Sequence, residues 1–440
     1  MDERLERARV IHETDPDGAL RLCSDALNED KDDAQALYIA AKTLMLADRT
    51  GLAYTLFRRC NELRPRQSDI QNSMGLSIEH AHPEESLKCY ENAIRLNPDN
   101  YHALNNKGLM MLRKGRPDLC IKYSNQAIAL KPRPGDKVNR ATAHLMMRNW
   151  KQGWDDYTHT LGVSRTRREY GVPDWNGEPG TVVVYGEQGL GDEIIFSSCI
   201  PDLQKTNKVI IDCEPRLVGL FERSFNCPVY GTRFKERTPL VDEHEIDFQV
   251  AIGALPGFFR NTDESFPGTP FLTPDPERAL QWRALFTEGK TIGIAWQGGI
   301  PSTQRSDRSF DLDVMAPLFD LPHTFISLEY DEPDLKGYPV KHYSRAVNKG
   351  VDFDDTAALM SELDLVISVP TTAIHAAGGL GVECWCLVPK VPSYRYHLDG
   401  EMPWYNSVKL FRKQDTWEGL ILQVKQALEN KWQSRIALIQ

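Results

Sequence analysis

The stretch TVVVYGEQGLGDEIIF, residues 181 to 196, decides how the chain is read. Thr181 to Tyr185 is a short apolar run of the kind that forms a strand covered on both faces. Gly189 and Gly191 then turn the chain, and Ile194 to Phe196 begin an apolar helix. A strand passing through a glycine turn into a helix is the repeating unit of a parallel α/β sheet. The start of such a helix attracts anions through its free N–H groups and its dipole. This turn, however, carries Asp192 and Glu193 where a phosphate would lie, and carboxylates there repel it. It also lacks the GK[ST] of a P-loop, and Ile194 stands where the third glycine of a dinucleotide fingerprint would fall. Phosphates are therefore expected elsewhere.

Similar units follow. KVIIDC (208–213) and DFQVAI (247–252) complete one set of strands, and the Pro-rich FPGTPFLTPDP (266–276) separates it from a second. That second set is TIGIAW (291–296), HTFISLE (323–329), LDLVISV (363–369) and VECWCLV (382–388). Two Rossmann-like halves with a cleft between them are expected. In the second half, ISVPTTAIHAAGGLG (367–381) leaves a strand and enters a helix with Thr371, Thr372 and His375 and no acid before Glu383. Upstream, WQGGIPSTQRSDRSF (296–310) follows another strand and carries Arg305 and Arg308, whose guanidinium forks suit phosphate oxygens. Taken singly, Thr371 reads as a helix cap and the arginines as partners of surface acids. Together, at the carboxyl ends of strands in one sheet, these loops favour a diphosphate site. Asp192 then faces the cleft from the other half as an ionised carboxylate able to accept a proton from a hydroxyl.

The first third of the chain is different. ELRP, RLNP and ALKP end helical stretches at Pro65, Pro98 and Pro132, a spacing of 33 and then 34 residues. Small residues recur where two helices must touch: Gly108 and Ala127 in the last copy, Gly75, Tyr90 and Ala93 before it, and Ala41, Ala53 and Phe57 earlier. Ala19, Cys23 and Ala26 mark a degenerate first copy, and Cys60 and Cys120 fall at packing positions. NWKQGWDDY (149–157) looks like the end of a last, divergent hairpin capping the stack. The period resembles the tetratricopeptide repeat, a helical hairpin of about 34 residues. That resemblance implies a concave surface for a peptide or protein partner.

Composition sets bounds. A chain of 440 residues suits about three structural units. The expected divisions are 1–160 for the repeats, 161–180 for a linker, 181–275 for the first half and 276–440 for the second. A net charge of -10 disfavours nucleic acid as a partner. The basic run SRTRRE (164–169) reads as solvated linker. The nine cysteines are scattered, and buried reduced thiols are expected, with neither disulfides nor a zinc site. MDERLERARV lacks the apolar stretch of a signal peptide, and no run reaches membrane-helix length, so a cytoplasmic protein is expected.

Several pieces in order carry a further resemblance: EQGLGD (187–192), GIAWQG (293–298), DRSFDL (307–312), DDTAALMSELDLVISV (354–369), TTAIHAAGGLG and PWYNSVKLFR (403–412). Over nearly its whole length the chain resembles tetratricopeptide arrays fused to a glycosyltransferase of the GT-B fold, akin to heptosyltransferases and more distantly to O-GlcNAc transferase. The resemblance implies sugar transfer from a nucleotide-diphosphate sugar to a hydroxyl on a glycan, lipid or protein, with inversion and without metal or other cofactor. Asp192 matches the catalytic base of the GD loop, and Gln188, Gly189 and Gly191 shape the acceptor side. Gln297, Arg305, Arg308, Glu329, Thr371, Thr372, His375, Tyr394 and Arg395 match the donor region. One departure stands out, since Val369 is followed by Pro370 where related sequences commonly carry an acid. A scaffold with a degenerate nucleotide-binding half is the alternative it raises. DLD (311–313) and DFDD (352–355) read as helix-start acids in preference to a metal-binding pair. The sugar, the nucleotide base, the acceptor and any homodimer stay open.

Overall fold

The computed structural model of the chain describes residues 2–133, 135–286, 289–299, 305–330, 332–347, 350 and 352–436. Helices fill the N-terminal region: α1 (Glu3–Ile11), α2 (Pro16–Glu29), α3 (Ala34–Leu46), α4 (Thr50–Leu63), α5 (Ser68–Ile78), α6 (Pro83–Leu96), α7 (Tyr101–Arg113), α8 (Pro117–Leu130), α9 (Asp136–Met146) and α10 (Trp150–Thr158). Pro16, Pro83 and Pro117 occupy first helical positions, where the missing N–H costs nothing. Side chains of Asp15, Asp33 and Asn100 accept the free N–H groups at the starts of α2, α3 and α7. Pro65, Pro98 and Pro132 each follow the C-cap residue of α4, α6 and α8, as the spacing predicts. The helices pair as α1/α2, α3/α4, α5/α6 and α7/α8, with Ala53, Cys60, Ala93, Cys120 and Ala127 wholly buried. Gly75 shows why small residues recur, because a Cβ there would sit 2.8 Å from the Tyr90 ring.

The chain divides into two compact units, residues 1–143 and 144–440, with the boundary inside α9. Helix α10, expected as the end of the last hairpin, belongs to the second unit. Trp154 Nε1–H donates to the Arg260 carbonyl at 2.8 Å, and Trp150 Nε1–H to Asp263 Oδ1 at 2.8 Å. The Trp154 ring meets Phe196, Tyr394 and Trp404 edge to face. Trp150, Trp154 and Tyr157 lie on one helix face at spacings of four and three, which is why they dock together.

Within the second unit, the first half runs β1 (Thr181–Tyr185), α11 (Leu190–Ser197), α12 (Ile200–Leu203), β2 (Lys208–Asp212), α13 (Val218–Phe225), β3 (Val229–Tyr230), α14 (Leu240–Glu243), β4 (Phe248–Ala251) and α15 (Pro256–Phe259). The second runs α16 (Pro276–Arg283), β5 (Lys290–Ala295), β6 (His323–Ser327), β7 (Val340–His342), α17 (Asp354–Ser361), β8 (Leu365–Ser368), α18 (Thr372–Leu380), β9 (Cys384–Val388), β10 (Val408–Arg412) and α19 (Trp417–Ile436). Both sheets are parallel, with strand orders β3-β2-β1-β4 and β10-β9-β8-β5-β6-β7. In each the strand order reverses beside a central strand, β1 or β5, and the crevice at that point is where ligands enter such sheets. Ile292, Ile294, Leu365, Ile367 and Leu387 form a core with Ile421, Val424 and Leu428 of α19.

The basic run SRTRRE (164–169), expected as solvated linker, is exposed at Ser164, Thr166, Arg167 and Glu169 but holds two of its arginines against the first half. Arg165 is 7% exposed and its Nη1 donates to Glu187 Oε1 at 2.8 Å. Arg168 donates to the Thr232 carbonyl at 2.7 Å and lies 3.3 Å from the buried Asp212. Trp175 N–H donates to the Gln249 carbonyl at 2.8 Å, so the strap pairs with the edge of β4. Charged groups this deep persist because each has a hydrogen-bonded partner. All nine cysteines are free, and eight are buried, with Cys227 half-buried. Among the described residues no helix is long and apolar enough to cross a membrane.

Candidate active site

The turn after β1 brings its residues to different places. Glu187 is buried and accepts N–H groups from Arg165, from Gln188 at 2.9 Å and from Gly253 at 3.2 Å. Burial pushes its carboxyl up from the ordinary range, with Arg165 opposing. Gln188 does not point freely at an acceptor, because its Oε1 accepts the Tyr157 O–H at 2.8 Å. Glu193, read with Asp192 as an acid where a phosphate would lie, instead turns inward. It accepts the Glu214 N–H at 2.8 Å and pairs with Arg233, and burial raises its pKa to about 8.

Asp192 alone of the two acids reaches the other half. Its Oδ2 accepts the Gly189 N–H at 3.3 Å, closing the first turn of α11, and its Oδ1 pairs with Arg395. Gly189, the N-cap residue before α11, has ordinary extended backbone. Gly191 is small for a reason the sequence did not show. A Cβ there would stand 3.2 Å from Thr372 Oγ1 and 3.3 Å from the His375 ring, so it faces α18 and not an open acceptor space. At this point the two halves touch.

The start of α18 gathers the remaining groups. Thr371 caps the helix, its Oγ1 accepting the Ala373 N–H at 3.2 Å and bonding Ser368 Oγ at 3.0 Å. Arg308 Nη1 donates to the Pro370 carbonyl at 3.1 Å, so the position that lacks the expected acid meets an arginine through its backbone. Arg308 is itself partly buried, and burial lowers its pKa. Burial works against the Arg395 charge too, but Asp192 and the surrounding tyrosines hold its pKa above the ordinary guanidinium value. The Arg395 guanidinium lies 4.6 Å from the Tyr394 ring centre and 5.9 Å from that of Phe196. Its loop is fixed by Arg412, which donates to the carbonyls of Tyr396, His397 and Gly400, each at 2.8 Å. His375 is buried, 3.5 Å from Tyr405 Oη, and burial with Arg395 and Arg308 lowers its pKa to about 3. It is therefore neutral at neutral pH.

Asp192, Arg308, Thr371, Thr372, His375, Tyr394 and Arg395 thus come together. Gln297, Arg305 and Glu329 form a second group after the ends of β5 and β6. Glu329 accepts the N–H groups of Trp296 at 2.6 Å and Gln297 at 2.7 Å, while Arg305 bonds the Gln297 side chain. Residues 300–304 of that loop lie outside the described residues. The DLD and DFDD acids act structurally: Asp311 caps Asp313 N–H at 2.9 Å, and Asp352 and Asp355 engage Arg278 and Trp282. Among the described residues no cluster of three or more potential metal ligands occurs.

Tyr157 is the residue sequence reasoning missed; its place in an aromatic stripe with Trp150 and Trp154 was the available signal. Tyr330, also missed, bonds Thr372 and is pushed up to about 12 by burial. Two cavities, of about 640 and 320 Å³, are lined by neither Asp192, Arg308, His375 nor Arg395. Chemically, two guanidinium groups and a helix start against the Asp192 carboxylate make an electropositive site beside a potential base.

The tetratricopeptide repeat family matches residues 89–122. Protein FlbA of Caulobacter vibrioides is 24% identical, the alignment covering 91% of this chain and 73% of that protein. Among solved structures, MamA is 20% identical over 37% of this chain and 94% of its own, with a TM-score of 0.32. A thermophilic tetratricopeptide protein of Thermus thermophilus is 20% identical over 36% and 90%, with a TM-score of 0.33. The N-terminal region is accordingly a tetratricopeptide repeat array, followed by an α/β region of two parallel sheets.

Proposed function

We propose that the second unit is a GT-B-type glycosyltransferase moving a sugar from a nucleotide-diphosphate donor to a hydroxyl acceptor, with the repeats recruiting the acceptor or a partner. The observation that carries this is the meeting of Asp192 with Arg308, Arg395 and the start of α18, at the carboxyl ends of both sheets. Asp192 takes the proton of the acceptor hydroxyl as that oxygen bonds to the anomeric carbon. The bond from that carbon to the diphosphate breaks, and the diphosphate leaves with the electron pair, held by Arg308, Arg395 and α18 N–H groups. His375, being neutral, contributes a hydrogen bond and no charge.

Calorimetric titration with UDP, GDP and ADP sugars, followed by transfer and hydrolysis assays on any binder, tests the proposal. Asp192→Ala should lose about a hundredfold or more in turnover while still binding the donor. Undiminished turnover in that variant would remove Asp192 from the mechanism. The direct Gly191–Thr372 contact and Pro370 favour a second possibility, a scaffold that binds nucleotide without catalysis. Binding with no turnover on any acceptor supports it.

A further inference from the structure

While Arg395 pairs with Asp192, the guanidinium occupies Oδ1, one of the two oxygens able to take a proton, and stands where an acceptor hydroxyl would have to approach it. Arg395 is also one of the two cations placed to meet the donor diphosphate. We infer that Arg395 is shared: the arriving diphosphate draws it away from Asp192, so that the donor itself frees the base and must bind before the acceptor can react. This inference rests on the proposed transfer reaction.

Three observations support the exchange. The pair is largely removed from water, with side chains 16% exposed for Arg395 and 28% for Asp192, so solvent does little to loosen it and a second anion must compete. The Arg395 Nε is buried without a hydrogen-bond partner among the described residues, leaving donor capacity that Asp192 does not use. The guanidinium lies against the rings of Tyr394 and Phe196, a surface along which a planar cation can slide without losing its packing. The Arg412 contacts hold the backbone of the loop, so the movement belongs to the side chain. Once the diphosphate departs, the pair re-forms and the base is masked again.

The test is a double-mutant cycle read by calorimetric titration of the full chain with inorganic pyrophosphate, using wild type, Asp192→Asn, Arg395→Met and the double variant. Removing the competing carboxylate should tighten pyrophosphate binding about tenfold, the scale of one charged hydrogen bond. In the Arg395→Met background the same change should yield less than about a third of that gain, since no shared arginine remains. A gain of equal size in both backgrounds means simple repulsion by Asp192 and overturns the inference. Binding by Asp192→Asn no tighter than wild type overturns it as well, while leaving the diphosphate assignment standing. Absence of pyrophosphate binding by both wild type and Asp192→Asn refutes that assignment and the inference together. Arg395→Gln, which keeps polar bulk without the charge, replaces Arg395→Met in the cycle if circular dichroism shows the latter unfolded.

Discussion

Replacing Trp154 by Ala tests whether α10 is part of the second unit's core. Trp154 is 1% exposed, and its ring meets Tyr157, Phe196, Tyr394 and Trp404 at centroid distances of 5.6 to 6.4 Å. Truncating a buried tryptophan costs about 3–5 kcal/mol. The Arg260 carbonyl, 2.8 Å from Nε1, loses its donor, which adds about 1 kcal/mol. The lower end of that sum, about 4 kcal/mol, corresponds to about a thousandfold in the opening equilibrium. The assay is amide hydrogen exchange of the full chain, followed by mass spectrometry on peptides covering β1, β5 and β8 and on others covering α3 to α6. Exchange in the slowest sheet amides should quicken by about three orders of magnitude, with the α3 to α6 peptides unchanged. If the sheets exchange as in wild type and only repeat helices loosen, α10 is not a core element of the second unit.

Tyr157→Phe leaves Gln188 Oε1 without its donor, and exchange in residues 187–192 should rise about fivefold, the equivalent of about 1 kcal/mol; unchanged exchange there would show that Tyr157 does not position the turn. His375 gives a pH dependence. Its pKa is about 3 when folded, against about 6.5 in an unfolded chain. The unfolded state therefore takes up a proton first as pH falls, so the stability is intact above about 6.5 and declines down to about 3, by at most about 1.4 kcal/mol per pH unit. Denaturant melts of His375→Gln should show a shallower decline over that window, and an equal slope would place the titration elsewhere.

Much of the architecture was legible because it rests on patterns local to the chain. Strands β1, β2, β4, β6, β8 and β9 lie within the apolar runs and β5 begins one residue before its run, since a parallel strand covered on both faces has no polar side to interrupt it. The strands that went unread were β3, two residues long, β7, and the edge strand β10, whose Lys409 is exposed. None has enough consecutive buried residues to stand out. The repeat period survives in sequence because the two helices of each hairpin meet through the same small residues, Gly75 and Gly108 among them.

The site was legible only in outline. That Thr371 starts a helix and Asp192 lies in the first turn of another follows from short-range chemistry, a cap and a dipole. That Asp192 meets Arg395 depends on a contact between residues 203 positions apart. Arg165 reads as a solvated charge until Glu187 is seen beneath it, and Glu193 reads as a second acid where a phosphate would lie until its helix shows that it turns inward. By itself, then, the sequence determined the repeat array, the parallel sheets and the helix starts, because periodicity and capping act over a few residues. Only tertiary structure decided which charges are buried, which face each other and where α10 belongs, because the energy of a charge is set by what packs around it, and packing is non-local.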